Sequence, residues 1–133
     1  AVILLDTHAW VWWVHGDARL SEEQREMLDG RAVEGIGVSM ISCWEVAKLV
    51  EHGRLKLPQD VAEWLGIALG YPGVRLVDLT PSIVVESTRL PPPFHKDPAD
   101  QIIVATARLY DCPVATADEK ILNYSHVRTV AIG

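Results

Sequence analysis

The sequence predicts an α/β fold, a three-layer α/β/α sandwich around a central, mostly parallel five-stranded sheet. Short apolar runs alternate with longer stretches of helical periodicity, the pattern of successive βαβ units. The breaks at Gly53, Tyr71-Pro72-Gly73 and Pro91-Pro92-Pro93 are helix stops and loops rather than domain linkers. With 133 residues and no internal repeat, the chain reads as one domain, 1–133, long enough to bury a single core.

Taken in order, the apolar run at 2–5 is the first strand, and Asp6 behind it suits a helix N-cap, where a carboxylate accepts from free backbone amides. The helix at 9–15 carries Trp10, Trp12 and Trp13, which cannot all share one face at a period of 3.6 residues. At least one is therefore expected to meet another helix, a partner or a second subunit. A helix at 21–33 leads to a strand at 36–39, and Ser42-Cys43-Trp44-Glu45 has capping-box spacing at the head of a helix at 42–52. The alternating apolar and basic stretch 53–58 fits a short edge segment or an exposed loop. Helices at 60–69 and 81–90 flank a strand at 75–79. Asp97-Pro98-Ala99-Asp100 opens a helix at 98–110, with Asp97 as N-cap, Pro98 in the first helical position and Asp100 one turn inside. After the strand at 113–115, Thr116 or Asp118 caps a turn at 118–123, and 127–132 is the fifth strand.

A hydrophobic fraction of 49% and a charged fraction of 23% are those of a packed globular chain rather than a disordered one. The apolar run at 1–5 is far short of the roughly 20 residues of a membrane span and has no basic leader. The expectation is a cytoplasmic protein without span or signal peptide, with Cys43 and Cys112 as buried reduced thiols. The net charge of −6 is the wrong sign for a broad basic nucleic-acid surface. That objection weakens if acids gather around cations, because bound metal neutralises them.

Four acids invite that reading. Asp6, Glu45, Asp100 and Asp118 each have a sufficient local explanation as a cap or first-turn residue. Their collective placement is what discriminates. In a parallel sheet every strand's carboxyl end and the helix start behind it lie along one edge, which takes in Asp6, Glu45 and Asp118. A right-handed crossover brings the start of the 98–110 helix, and Asp100, to the same edge. Two carboxylates about 4 Å apart repel by roughly 4 kcal/mol at an effective dielectric near 20, so a cation is needed to offset them. An all-oxygen set without matching Cys or His favours Mg²⁺ or Mn²⁺, one or two ions, and metal-assisted phosphodiester hydrolysis by an activated water.

Leu5-Asp6-Thr7-His8-Ala9, the 39–49 segment centred on Glu45, His95-Lys96-Asp97-Pro98-Ala99-Asp100 and Thr116-Ala117-Asp118 together resemble the motifs of PIN-domain ribonucleases, above all the VapC toxins of bacterial toxin–antitoxin pairs. The likeness covers nearly the whole chain, and four short motifs in order carry it. It implies a PIN-like fold, a Mg²⁺- or Mn²⁺-dependent endoribonuclease, a homodimer and a cognate antitoxin protein that occludes or disrupts the site. It carries catalytic and metal-binding roles to Asp6, Glu45, Asp100 and Asp118. Asp97 matches a recurrent acid and is assigned chiefly the N-cap role, with metal contact through water second. Thr7, Ser42 and Thr116 match polar positions that orient carboxylates or water. Ala99 and Gln101 depart from the toxin pattern, which commonly has an aromatic and an Arg there.

Lys48, Arg54, Lys56, His95, Lys96 and Arg108 are the candidate RNA contacts, as neighbours of the acidic motifs or of an exposed loop. Phe94 and Tyr110 could stack on a base, although packing explains each as well. The five histidines show no pair spaced for metal-free acid–base catalysis; His8 is expected near the site, and His15, His52 and His126 at the surface or element ends. Two rival functions remain. One is an aspartyl-phosphate phosphatase with Asp6 as nucleophile, weakened because Asp-Thr-His lacks a second acid two residues on. The other is a catalytically silent interaction module that binds protein through its Trp-rich first helix.

Overall fold

The computed structural model describes residues 2–133. The strands β1 (Ile3–Leu5), β2 (Ile36–Ser39), β3 (Val74–Val77), β4 (Val114–Thr116) and β5 (Thr129–Ala131) form one sheet in the order β3-β2-β1-β4-β5. All four pairings are parallel, so the sheet is more uniform than expected. Its helices are α1 (Thr7–His15), α2 (Glu22–Arg31), α3 (Met40–Glu51), α4 (Val61–Leu69), α5 (Pro81–Ser87), α6 (Pro98–Leu109) and α7 (Glu119–Leu122). The chain builds outward from β1 through β2 to β3, then returns to β4 on the other side of β1. The reversal opens a crevice at the carboxyl ends of β1 and β4, where open α/β sheets bind ligands.

Alternation along β1 sets the layers. Ile3 and Leu5 face a core with Trp10, Leu28, Val46 and Trp64, contributed by α1, α2, α3 and α4. Leu4 points the other way, onto Ile103 and Ala107 of α6. A smaller cluster of Val104, Ile121 and Tyr124 joins α6 to α7. Trp10 is fully buried and meets Trp64 edge-to-face at 5.1 Å, and each such side chain stabilises the fold by about 1.5–3 kcal/mol. Trp13 donates to Asp29 at 2.9 Å and meets Tyr71 edge-to-face, while Arg19 lies 5.5 Å over the ring of Trp12. The crowded tryptophans thus all find partners within the chain. At the turn into β3, Gly73 has φ +84° and its backbone passes so close to Ala32 that a Cβ would stand 2.2 Å from the Ala32 carbonyl oxygen.

Several boundaries differ from expectation for identifiable reasons. Helix α1 starts at Thr7 because Asp6 caps it, accepting from Ala9 N at 2.9 Å. Helix α3 starts at Met40, and Ser42-Cys43-Trp44-Glu45 is not a capping box. Ser39, the last residue of β2, is itself the N-cap and accepts from Ile41 N at 3.2 Å, so strand passes into helix with no loop between them. Helix α5 ends at Ser87, where the hydroxyls of Ser87 and Thr88 donate to the carbonyls of Val84 and Val85 and compete with the ladder. The 53–58 stretch is a connection without strand pairing, with Leu55 and Leu57 packed on the main core and Arg54 and Lys56 exposed. No helix among the described residues is long and apolar enough to cross a membrane.

Candidate active site

At the carboxyl edge, Asp6, Thr7, His8, Trp12, Glu45, Asp97, Asp100, Ala117 and Asp118 line a cavity of about 280 Å³. The four predicted acids and Asp97 therefore meet in one place. Asp6 ends β1 and is 7% exposed; its Oδ1 caps α1 and its Oδ2 accepts from the hydroxyl of Thr116 at the end of β4. Glu45, on the second turn of α3, is held by the hydroxyl of Thr7, which also lies 2.9 Å from Ser42 Oγ. A hydroxyl has one proton, and the carboxylate, which has none, takes it. Asp97 Oδ1 caps α6 by accepting from Ala99 N at 3.0 Å and Asp100 N at 3.2 Å. Asp118 Oδ1 caps α7 by accepting from Lys120 N at 2.9 Å, and its own amide donates to Thr116 Oγ1 at 2.9 Å. Thr116 thus braces two acids at once, whereas Asp118 is the cap.

Each of Glu45, Asp97 and Asp118 is anchored through one oxygen, and among the described residues no hydrogen bond engages the other. Anchoring the helices and presenting a donor to the cavity are therefore compatible. The electrostatics show the cost of gathering these groups. Burial, then the nearby Asp97, Asp118, Glu45 and Asp6, push the Asp100 carboxyl up to about 7. Burial also raises Glu45 and Asp6, against the lowering effect of hydrogen bonds from Thr7 and Thr116 respectively. His95 Nε2 stands 3.0 Å from Asp100 Oδ2 but off the line of a hydrogen bond, with its ring against Phe94. Among the described residues no Lys or Arg lines the cavity.

The PIN-domain family model matches residues 3–127. The chain belongs to the PIN-domain family. It is similar to Ribonuclease VapC22 of Mycobacterium tuberculosis, 33% identical over 130 residues that cover 98% of this chain and 97% of that protein. The PIN fold also matches VapBC2 of Rickettsia felis bound to a promoter DNA fragment, with a TM-score of 0.74 at 15% identity over the full length of both chains. FitAcB of Neisseria gonorrhoeae matches with a TM-score of 0.67 at 23% identity, covering 96% of this chain and 95% of that one.

Five carboxylates without a thiol or paired imidazoles suit a hard cation in this PIN domain. Among the described residues, no three His, Cys, Asp or Glu side chains already close on one point as a finished cage. An open arrangement is what Mg²⁺ uses, since it keeps several waters and takes one or two carboxylates plus phosphate oxygens. The donor set therefore fits such an ion.

The remaining predicted residues separate. Lys48 and Arg54 line a small cleft that shares Glu45 with the cavity. Lys96 is exposed beside Asp97, and the half-buried His95 lies close to Asp100 with its ring against Phe94. Lys56 lines a different groove, between α1 and α4. Arg108 is not brought to the site: it sits at the far end of α6, where Nε donates to Glu86 at 3.0 Å and Nη1 to the His126 carbonyl at 2.7 Å. Phe94 packs on Tyr124, and Tyr110 is exposed at that far end. His8 is at the site as expected; His15, at the end of α1, also accepts from Trp64 Nε1 at 3.0 Å. Trp12 was missed as a wall of the cavity, although its place four residues after His8 sets the two on one helix face.

Proposed function

We propose that this PIN-domain chain is a Mg²⁺- or Mn²⁺-dependent endoribonuclease and the toxin of a toxin–antitoxin pair. The observation that carries the reading is the convergence of Asp6, Glu45, Asp100 and Asp118 on one cavity in a chain 33% identical to Ribonuclease VapC22. These four would hold one or two ions, with Asp97 contributing through water. A cation bound there supplies Lewis-acid stabilisation of the phosphate and a water of lowered pKa. The chain does the rest. Thr116 fixes Asp6 and Thr7 fixes Glu45, so the donors are positioned by hydroxyls that are themselves anchored in the fold. Asp100, about half protonated near neutral pH without a cation, gives up its proton when one binds. Trp12 and His8 add an indole and an imidazole to the lining of the acidic cavity.

The aspartyl-phosphate reading is disfavoured because His8, not a second carboxylate, stands two residues after Asp6. A solved structural neighbour described as a toxin-antitoxin complex from Klebsiella pneumoniae supports an antitoxin as partner, and the family likeness is the ground for proposing a homodimer. The test is incubation of purified chain with single-stranded RNA. Cleavage is expected with Mg²⁺ or Mn²⁺, is expected to stop with a chelator, and is expected to stop again when the protein encoded next to it is co-purified. Cleavage that persists in chelator would overturn the metal-dependent reading.

A further inference from the structure

We propose that the cleft walled by Trp44, Lys48, His52 and Arg54 is a subsite for single-stranded RNA, with Trp44 stacking on a base next to the phosphate cleaved at the acidic cavity. The inference rests on the ribonuclease reading and specifies where its substrate lies. Trp44, Lys48 and His52 follow one another at four-residue spacing, so they form one stripe that runs along α3 to its C-cap. Trp44 is 55% exposed, whereas Trp10 and Trp64 are buried in the core. A large indole left open to water on a helix that already supplies a site acid calls for a partner.

The chemistry around it suits a nucleotide. The cleft encloses about 160 Å³, room for a single flat group rather than a folded segment, and Glu45 forms part of its wall and part of the acidic cavity's wall. A strand crossing Glu45 therefore passes from one to the other. Lys48 Nζ lies 5.9 Å from the Trp44 ring centroid and 2.9 Å from Glu51, which also stands 3.2 Å from His52. Glu51 offsets the charge of Lys48, and Arg54, which forms no ion pair among the described residues, carries the uncompensated positive charge. The backbone fixes it there, since Arg54 N donates to the Leu49 carbonyl at 2.8 Å. In a chain of net charge −6 whose cavity repels phosphate, an aromatic face flanked by cations supplies the attraction that the acids lack.

Binding of a short, fluorescently labelled single-stranded oligoribonucleotide is measured on the full chain carrying Asp100→Asn, so that it is not cut. Adding Trp44→Ala is expected to weaken binding about tenfold or more, and Trp44→Phe to recover most of it, because stacking needs only an aromatic face. Arg54→Gln is expected to weaken binding two- to threefold and to flatten its salt dependence. In the active chain, Trp44→Ala is expected to raise KM, with the loss carried there rather than in kcat. Thermal melts confirm that the variants fold, and the exposed Arg54→Gln keeps the test decisive if Trp44→Ala does not. Unchanged binding and KM in Trp44→Ala would overturn the subsite and leave the ribonuclease reading standing. Loss of self-association or antitoxin binding with unchanged RNA binding would assign the cleft to protein and also overturn it. A wild-type chain that cuts no RNA would overturn both.

Discussion

The two edges of the sheet handle charge in opposite ways. At the amino-end edge, a cavity of about 600 Å³ is lined by Glu86, Arg108, Asp111 and Arg128, and each cation there meets an anion or a carbonyl. Arg108 bonds Glu86 and the His126 carbonyl; Arg128 bonds the Asp111 carbonyl at 2.6 Å and its carboxylate at 3.1 Å. At the carboxyl edge five acids share a cavity less than half that size, with no Lys or Arg among its described walls. The first arrangement holds elements together. The second stores repulsion, visible in the raised Asp100 carboxyl, and makes sense where a cation is received. The cations of the larger cavity are already committed, which is why the proposed site is the smaller one.

Neutralising one charge at each edge should break the comparison most sharply. Asp100→Asn is expected to lower RNA cleavage about a thousandfold, while in chelator at pH 8 it melts no lower than wild type because repulsion is relieved. A cleavage assay paired with thermal melts checks both. Thr7→Val removes the hydroxyl that holds Glu45 and is expected to cost about ten- to a hundredfold in activity, read from initial rates at saturating metal. A smaller effect concerns pH. Asp100 titrates at about 7 in the folded chain against an ordinary 3.8, so the native state holds this proton more tightly than the unfolded state does. Its contribution to stability is complete below about 3.8 and is lost as pH rises through about 7. Metal-free melting temperature should fall across that window, and bound Mg²⁺ should reverse the trend above it; a melt series with and without Mg²⁺ decides. Smallest is the amino-end edge, where Glu86→Gln is expected to cost about 1 kcal/mol in urea unfolding and leave cleavage at the wild-type rate.

Sequence order made the carboxyl edge readable and the other edge opaque. Asp6, Asp97 and Asp118 follow strands or open helices, so cap chemistry and parallel topology together placed them, and the structure bears out each as a cap. Asp100 followed from the direction α6 must run to return to β4. Ser42 misled because nothing local reveals that β2 passes straight into α3 with Ser39 as the cap, although Ser42 still reaches the site through Thr7. Arg108 misled for the opposite reason. It belongs to the same helix as Asp100, yet eight residues of α-helix carry it about 12 Å away, to a partner, Glu86, that is distant in sequence. The crowding of Trp10, Trp12 and Trp13 pointed to an outside partner for at least one of them, whereas the fold gives all three partners within the chain and leaves Trp44, on α3, as the open one.

The central claim is that the carboxyl-edge acids hold a divalent cation. Calorimetric titration of the purified chain with Mn²⁺ tests it most directly, using wild type, Asp100→Asn and the combined Asp6→Asn and Asp100→Asn variant. One or two ions are expected per wild-type chain, with affinity falling below pH 7, weakened in the single variant and lost in the double. Mn²⁺ binding to the double variant at wild-type affinity, with its fold intact, would contradict the account.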